Sequence, residues 1–145
     1  MDRIRGAEVS MGIQAGTIAV VDDDLRIVES LMNLLASCGY KAEGYGSAEE
    51  FLESGVQNSA ACLIADVRMP GISGIDLQAR LKADRSRIPI IFITAHGDAR
   101  MRIRAMRDGA VEFLTKPFDD AVLLEAVHAA AEDYLKTRGF RTSNR

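Results

Sequence analysis

Apolar residues along the chain come in short, nearly continuous runs separated by longer amphipathic stretches. The runs are "TIAVV" (17–21), "ACLIA" (61–65), "PIIFIT" (89–94) and "VEFL" (111–114). Three of them lack the polar alternation of a half-buried strand, the pattern expected of parallel strands covered on both faces. A weaker run, "KAEGY" (41–45), carries a Lys, a Glu and a Gly and reads as an edge strand.

Between the runs the spacing turns helical. Leu25, Val28, Met32 and Leu35 fall at i, i+3, i+7 and i+10, which makes one apolar stripe. Asp24 stands where an N-cap for that helix belongs. The second helix opens with "SAEE", in which Ser47 and Glu50 fit a capping box. Residues 74–83 read as a third helix, and Ala99, Ile103 and Met106 give a fourth a narrow apolar stripe. The fifth begins at an Asp119 N-cap and presents Leu124, Val127, Ala131 and Tyr134, with Phe118 and Leu123 spaced for a hydrophobic staple.

Strand and helix thus alternate five times. That argues a single α/β domain, a five-stranded parallel sheet doubly wound by five helices, with the strand order 2-1-3-4-5 as the natural candidate. Residues 1–16 are expected to be an N-terminal extension, 17–136 the domain, and 137–145 a C-terminal tail.

Composition narrows the class. A chain of 145 residues suits one domain with a sizeable core. With 48% hydrophobic and 27% charged residues it has the balance of a soluble globular protein. A net charge of -3 gives no general pull toward nucleic acid or a membrane surface. No apolar run approaches the roughly 18 residues of a spanning helix. The first 16 residues lack the apolar core of a secretory signal, so a cytoplasmic location is expected. Cys38 and Cys62, both in apolar contexts, read as reduced thiols packed as small hydrophobes.

The chemistry collects at the strand ends, where open α/β sheets bind their ligands. Strand one ends in Asp22 and Asp23, strand three in Asp66 and strand four in Thr94; strand five runs through Phe113 to Lys116. Three close carboxylates cannot all ionise without a counter-charge. The donors are hard oxygens, and no Cys or His ends a strand, which favours magnesium over zinc. Magnesium takes one or two carboxylates and keeps waters, leaving room for a phosphoryl oxygen. Lys116 adds a second positive charge and Thr94 a hydroxyl, the parts that phosphoryl transfer asks for. One of the carboxylates can be the nucleophile, giving an aspartyl-phosphate.

The segments "VVDDD", "LIADVRMPGISG", "FITAHGD" and "FLTKPF" together resemble the motif set of the receiver domain of bacterial two-component response regulators. The fold of that family is CheY-like, and the wording is most similar to the FixJ type. The resemblance covers residues 16 to 136. It implies that Asp66 is the phosphoacceptor, taking a phosphoryl group from a sensor histidine kinase or a small phosphodonor. It implies Mg2+ held directly by Asp23, Asp66 and the backbone carbonyl of Arg68, with Asp22 acting through a bound water. Thr94 and Lys116 would grip the phosphoryl oxygens, and Phe113 would be the aromatic switch. The Lys116–Pro117 bond would be cis. Arg68 and His96 would flank the phosphoryl group and tune its hydrolysis, or else stand as solvent-facing loop residues. Gly71 and Gly74 would shape the loop beside the site, since "PGISG" lacks the pattern of a phosphate cradle.

On this resemblance the chain is a signalling domain that catalyses only its own phosphorylation and dephosphorylation. Its output would be a protein partner or a second copy, met through the surface of the fourth helix, fifth strand and fifth helix, with no direct binding of nucleic acid or membrane. Arg100, Arg102, Arg104 and Arg107 on the fourth helix are either a solvated face or a surface for an acidic partner. The receiver either stands alone or belongs to a longer regulator with a DNA-binding half. Two rivals remain: a haloacid-dehalogenase-like phosphatase with Asp22 as nucleophile, and a scaffold that binds partners without turning over phosphate.

Overall fold

The computed structural model describes residues 16–95 and 97–143, with backbone alone at 135 and from 137 onward. The expected N-terminal extension lies outside these residues, apart from Gly16. The elements are β1 (Thr17–Val21), α1 (Leu25–Ser37), β2 (Lys41–Tyr45), α2 (Ala48–Ser54), β3 (Cys62–Asp66), α3 (Gly74–Ala83), β4 (Ile90–Thr94), α4 (Ala99–Arg107), β5 (Glu112–Thr115) and α5 (Asp120–Ser143). A short 3-10 turn at Val56–Asn58 leads into β3. All strand pairs are parallel, and the order is β2-β1-β3-β4-β5. This is the sheet expected from the sequence, with the weak run 41–45 at one edge.

The sheet divides the core in two. Along β1, β3 and β4 successive side chains point to opposite faces. Ala19, Val21, Leu63, Ala65, Ile90 and Phe92 pack with α2, α3 and α4 on one side. Ile18, Val20, Cys62, Ile64, Ile91 and Ile93 pack with α1 and α5 on the other. Both faces are covered, which is why these runs do not alternate in the sequence.

The register then levels the strand ends. Val21 pairs with Ala65, so Asp22 and Asp66 leave the sheet side by side. Asp66 pairs with Ile93, one residue before Thr94, and Thr94 pairs with Thr115, one before Lys116.

Several local expectations change. In α1 the buried stripe is Val28, Leu31 and Leu35, while Leu25 is 66% exposed. Leu25 stands in the first turn, at the rim of the sheet, where no strand is left to cover it. The α4 stripe faces outward: Ile103 is 56% exposed and Met106 37%, and Ala105 is the buried residue. At about 100° per residue, positions 101 and 105 lie opposite 99, 103 and 106. Polar anchors decide the rotation. Gln78 Nε2 donates to the Ala105 carbonyl at 3.0 Å, and Arg102 Nη1 donates to the Phe113 carbonyl at 2.9 Å.

The Ser47–Glu50 cap forms one residue out of step. Ser47 Oγ accepts from the Glu50 N–H at 3.1 Å, but the Glu50 carboxylate reaches Gly46 N–H rather than Ser47 N–H. Asp119 caps α5 as expected, accepting from Ala121 N–H at 2.8 Å. The helix continues through Ser143, past the boundary at 136. The two thiols differ from each other. Cys62 is buried, and burial pushes it up to about 12; Cys38 is exposed at the end of α1 rather than packed as a small hydrophobe. Among the described residues no helix is long and apolar enough to cross a membrane.

Candidate functional site

Three carboxylates meet at the C-terminal edge of β1 and β3. The oxygens of Asp22, Asp23 and Asp66 lie within 4.8 Å of one another. Asp22 and Asp66 are buried and Asp23 is exposed. Asp22 accepts from Asp24 N–H at 2.9 Å through Oδ1 and from Lys116 Nζ at 3.0 Å through Oδ2. The ammonium also stands 3.6 Å from Asp66 Oδ2. Asp24 turns away from the cluster. It caps α1, accepting from Arg26 N–H at 3.0 Å.

Electrostatics follow from this crowding. Burial and then the neighbouring Asp22 raise the Asp66 carboxyl above its ordinary range, and Lys116 offsets them only in part. For Lys116, burial works against the charge, but Asp22 and Asp66 outweigh it and hold the ammonium above the ordinary lysine value. Among the described residues the cluster therefore carries one cation for three acids.

Backbone devices hold the frame. The Lys116 N–H donates to the Thr94 carbonyl at 2.7 Å, and the following Lys116–Pro117 bond is cis. Thr94 is fully buried at the end of β4. Phe113 is also buried, its ring 6.2 Å from Phe92. Beyond Asp66, Gly74 packs so closely that an added Cβ would collide with the Asp66 carbonyl oxygen. Gly71 adopts φ 78°, a conformation that favours glycine. Arg68 N–H donates to Asp66 Oδ1 at 3.4 Å, and Arg68 lines a cleft of about 760 Å³ between α3 and α4 with Met69, Arg100 and Arg104.

The structure thus brings together Asp22, Asp23, Asp66 and Lys116, with the Arg68 backbone beside them and Thr94 and Phe113 one layer behind. His96 lies outside the described residues. His128 stands apart on α5, its Nδ1 3.2 Å from the Tyr40 hydroxyl. Two residues around the site, Glu49 and Gly97, escaped the sequence reading, and Arg102 was expected only in a solvated or partner-facing run. Glu49 on α2 accepts from Ile72 N–H at 3.3 Å and ties down the loop after Asp66. Arg102 holds the carbonyl of Phe113. Gly97 abuts both Thr94 and Phe113. Contacts of this kind cross between elements and leave no local signal; only the glycine, a breaker just past a strand, offered a hint.

The family model described as "Response regulator receiver domain" matches residues 18–128. The chain belongs to this family. Nodulation protein W of Bradyrhizobium diazoefficiens is 50% identical over 121 residues, covering 83% of this chain and 53% of the relative. Response regulator protein TodT of Pseudomonas putida is 45% identical over 120 residues, with the same shares covered. Among solved structures, the response regulator StyR superposes with a TM-score of 0.81 at 46% identity, over 88% of this chain and 65% of that one. The FixJ N-terminal domain gives 0.73 at 40% identity, over 80% of this chain and 93% of that one. The receiver spans about half the length of the curated relatives it matches. As a receiver of two-component response regulators it is a signalling domain rather than a conventional enzyme.

Proposed function

We propose that this receiver accepts a phosphoryl group on Asp66 and that the new charge is read through Thr94 and Phe113. The observation that carries the proposal is the position of Lys116, 3.0 Å from Asp22 and 3.6 Å from Asp66. Among the described residues one fixed cation faces three acids, and a divalent metal would supply the missing positive charge. The donor chemistry fits Mg2+: hard carboxylate oxygens close together, one of them exposed to an incoming ion. Asp23, Asp66 and the Arg68 carbonyl would hold it, with Asp22 orienting its hydration. When bound, Mg2+ supplies the charge neutralisation that lets a phosphoryl group approach three acids.

The remaining work belongs to the chain. An ionised Asp66 oxygen attacks the phosphorus of a kinase phosphohistidine or a small phosphodonor. The new P–O bond forms as the donor's P–N or P–O bond breaks, and the electron pair leaves with the donor. Lys116 supports the charge on the transferred oxygens, and the Thr94 hydroxyl donates to one of them. The phosphoryl group brings roughly -1.5 to -2 of charge at neutral pH. It shifts a pre-existing equilibrium only through contacts that differ between the two states. Phe113 and α4 form the readout. Arg68 and His96, two positions past Asp66 and Thr94 in the sequence, would tune hydrolysis.

Asp22 is the weaker nucleophile candidate, because it is fully buried and both its oxygens already accept hydrogen bonds. The partners proposed are a sensor histidine kinase upstream and, downstream, a protein met through α4, β5 and α5. The exposed Ile103, Met106 and Val111, with Arg102 beside Glu112 of β5, supply a mixed apolar and charged surface there, while Arg100 and Arg104 line the cleft against α3. Incubation with acetyl phosphate and Mg2+ followed by intact mass measurement tests the acceptor. One added phosphoryl group lost in Asp66→Asn supports the reading. Label retained in Asp66→Asn and lost in Asp22→Asn would move the assignment to a dehalogenase-like Asp22 chemistry.

A further inference from the structure

Gly97 sits in the connection between β4 and α4. Its φ lies outside the left-handed region, so the backbone does not call for glycine there, unlike Gly71 at +78°. Space does. A Cβ built on Gly97 would lie 2.8 Å from Phe113 Cε1, 2.8 Å from Thr94 Cγ2 and 3.2 Å from Phe113 Cζ. Non-bonded carbons rest about 3.5–4.0 Å apart, so ring, methyl and a Cβ cannot share this place.

Neither neighbour gives way easily. Thr94 is fully buried and, being β-branched, stiff at χ1. Phe113 is 3% exposed, its ring beside Phe92. Arg102 Nη1 holds the Phe113 carbonyl at 2.9 Å, which limits backward movement of the residue. The loop before α4 therefore leaves room for the ring while α4 itself grips the backbone.

We propose that Gly97 is a positioning residue for the Thr94–Phe113 pair: its missing side chain is the clearance that lets ring and methyl be buried side by side. The inference rests on the reading of Thr94 and Phe113 as phosphoryl sensor and switch. A side chain at 97 works against the buried ring, and so against passage of a signal from Asp66 to α4.

A mutant cycle tests this with atoms chosen from the contacts. Phe113→Leu removes Cε1 and Cζ and stays apolar. Thr94→Ser removes Cγ2 and keeps the hydroxyl. Gly97→Ala is introduced into the natural chain, into each of these backgrounds and into the two combined, and unfolding is followed in urea. The expected result is a rise in the unfolding constant of about tenfold in the natural chain, a smaller rise in either background, and less than about threefold with both background substitutions combined. A second readout is the apparent affinity for beryllofluoride with Mg2+, followed by NMR. Gly97→Ala should weaken it several-fold in the natural chain and add nothing in the Phe113→Leu background. An equal loss of stability in every background, or no loss at all, overturns the clearance. A natural chain that shows no beryllofluoride response overturns the phosphoacceptor reading instead, and the unfolding cycle keeps the two outcomes apart.

Discussion

Asp66→Asn should make the metal-free receiver more stable at neutral pH, although it removes the residue proposed to carry the function. At an effective dielectric of about 20, two carboxylates no more than 4.8 Å apart repel by at least about 3 kcal/mol. Lys116 at 3.6 Å from Asp66 returns about 4.6 kcal/mol of attraction. The Asp22 repulsion and the Lys116 attraction therefore come close to cancelling. What is left is the repulsion from Asp23, which its exposure screens to a fraction, and the desolvation of a buried carboxylate. Their sum is a penalty of about 1–2 kcal/mol for keeping Asp66 ionised, which a neutral Asn escapes. For a domain of this size that is a gain of roughly 3–10 °C in Tm.

The pH dependence has a definite sign. A carboxyl whose folded value lies above its ordinary 3.8 binds its proton more tightly in the native state, so native stability is lost as pH rises through the folded value. The advantage of Asp66→Asn should be full at pH 7 and fade as pH falls toward 3.8. Urea unfolding followed by circular dichroism, with EDTA present, measures it at each pH. Adding Mg2+ should stabilise the natural chain more than the variant. A variant no more stable than the natural chain at pH 7, or a gain independent of pH, refutes the electrostatic reasoning.

Asp24→Ala should cost about 1 kcal/mol through the lost α1 cap and leave Mg2+ affinity within about twofold, a split that calorimetry and chemical unfolding resolve together. Gly74→Ala drives a methyl into the Asp66 carbonyl and should cost about 2 kcal/mol or more, with acetyl phosphate labelling falling in parallel. With Cys62 buried and pushed up to about 12, and Cys38 exposed, a thiol reagent at pH 8 should titrate one thiol in the native chain and two after unfolding.

The strands were legible because sheet burial on both faces writes continuous apolar runs. The acids were legible because each ends such a run. The match between Val21 and Ala65, which sets Asp22 beside Asp66, follows from those runs once the strand order is known. The α4 stripe was misread for a physical reason. Periodicity locates an apolar face, but Gln78 and Arg102 turn that face to solvent through two hydrogen bonds to backbone carbonyls. Leu25 was misread because a stripe has no marker for where the sheet ends. Glu49 and Gly97 were missed, and Arg102 was read only as part of a basic run, because their importance lies in closeness between segments, which a single sequence does not display.

A sheet that splits the interior into two half-cores gives this receiver something like two separately editable compartments. Phe92 and Phe113 share one with α2, α3 and α4; Leu123 and Val127 share the other with α1. Variation accumulating in one buried cluster meets the other chiefly through the strands, because among the described residues each cluster keeps to its own face of the sheet. A lineage can therefore remodel the face that follows Phe113 while the α1–α5 face keeps its inherited packing, and a chimera exchanged along the plane of the sheet divides the molecule at its natural seam.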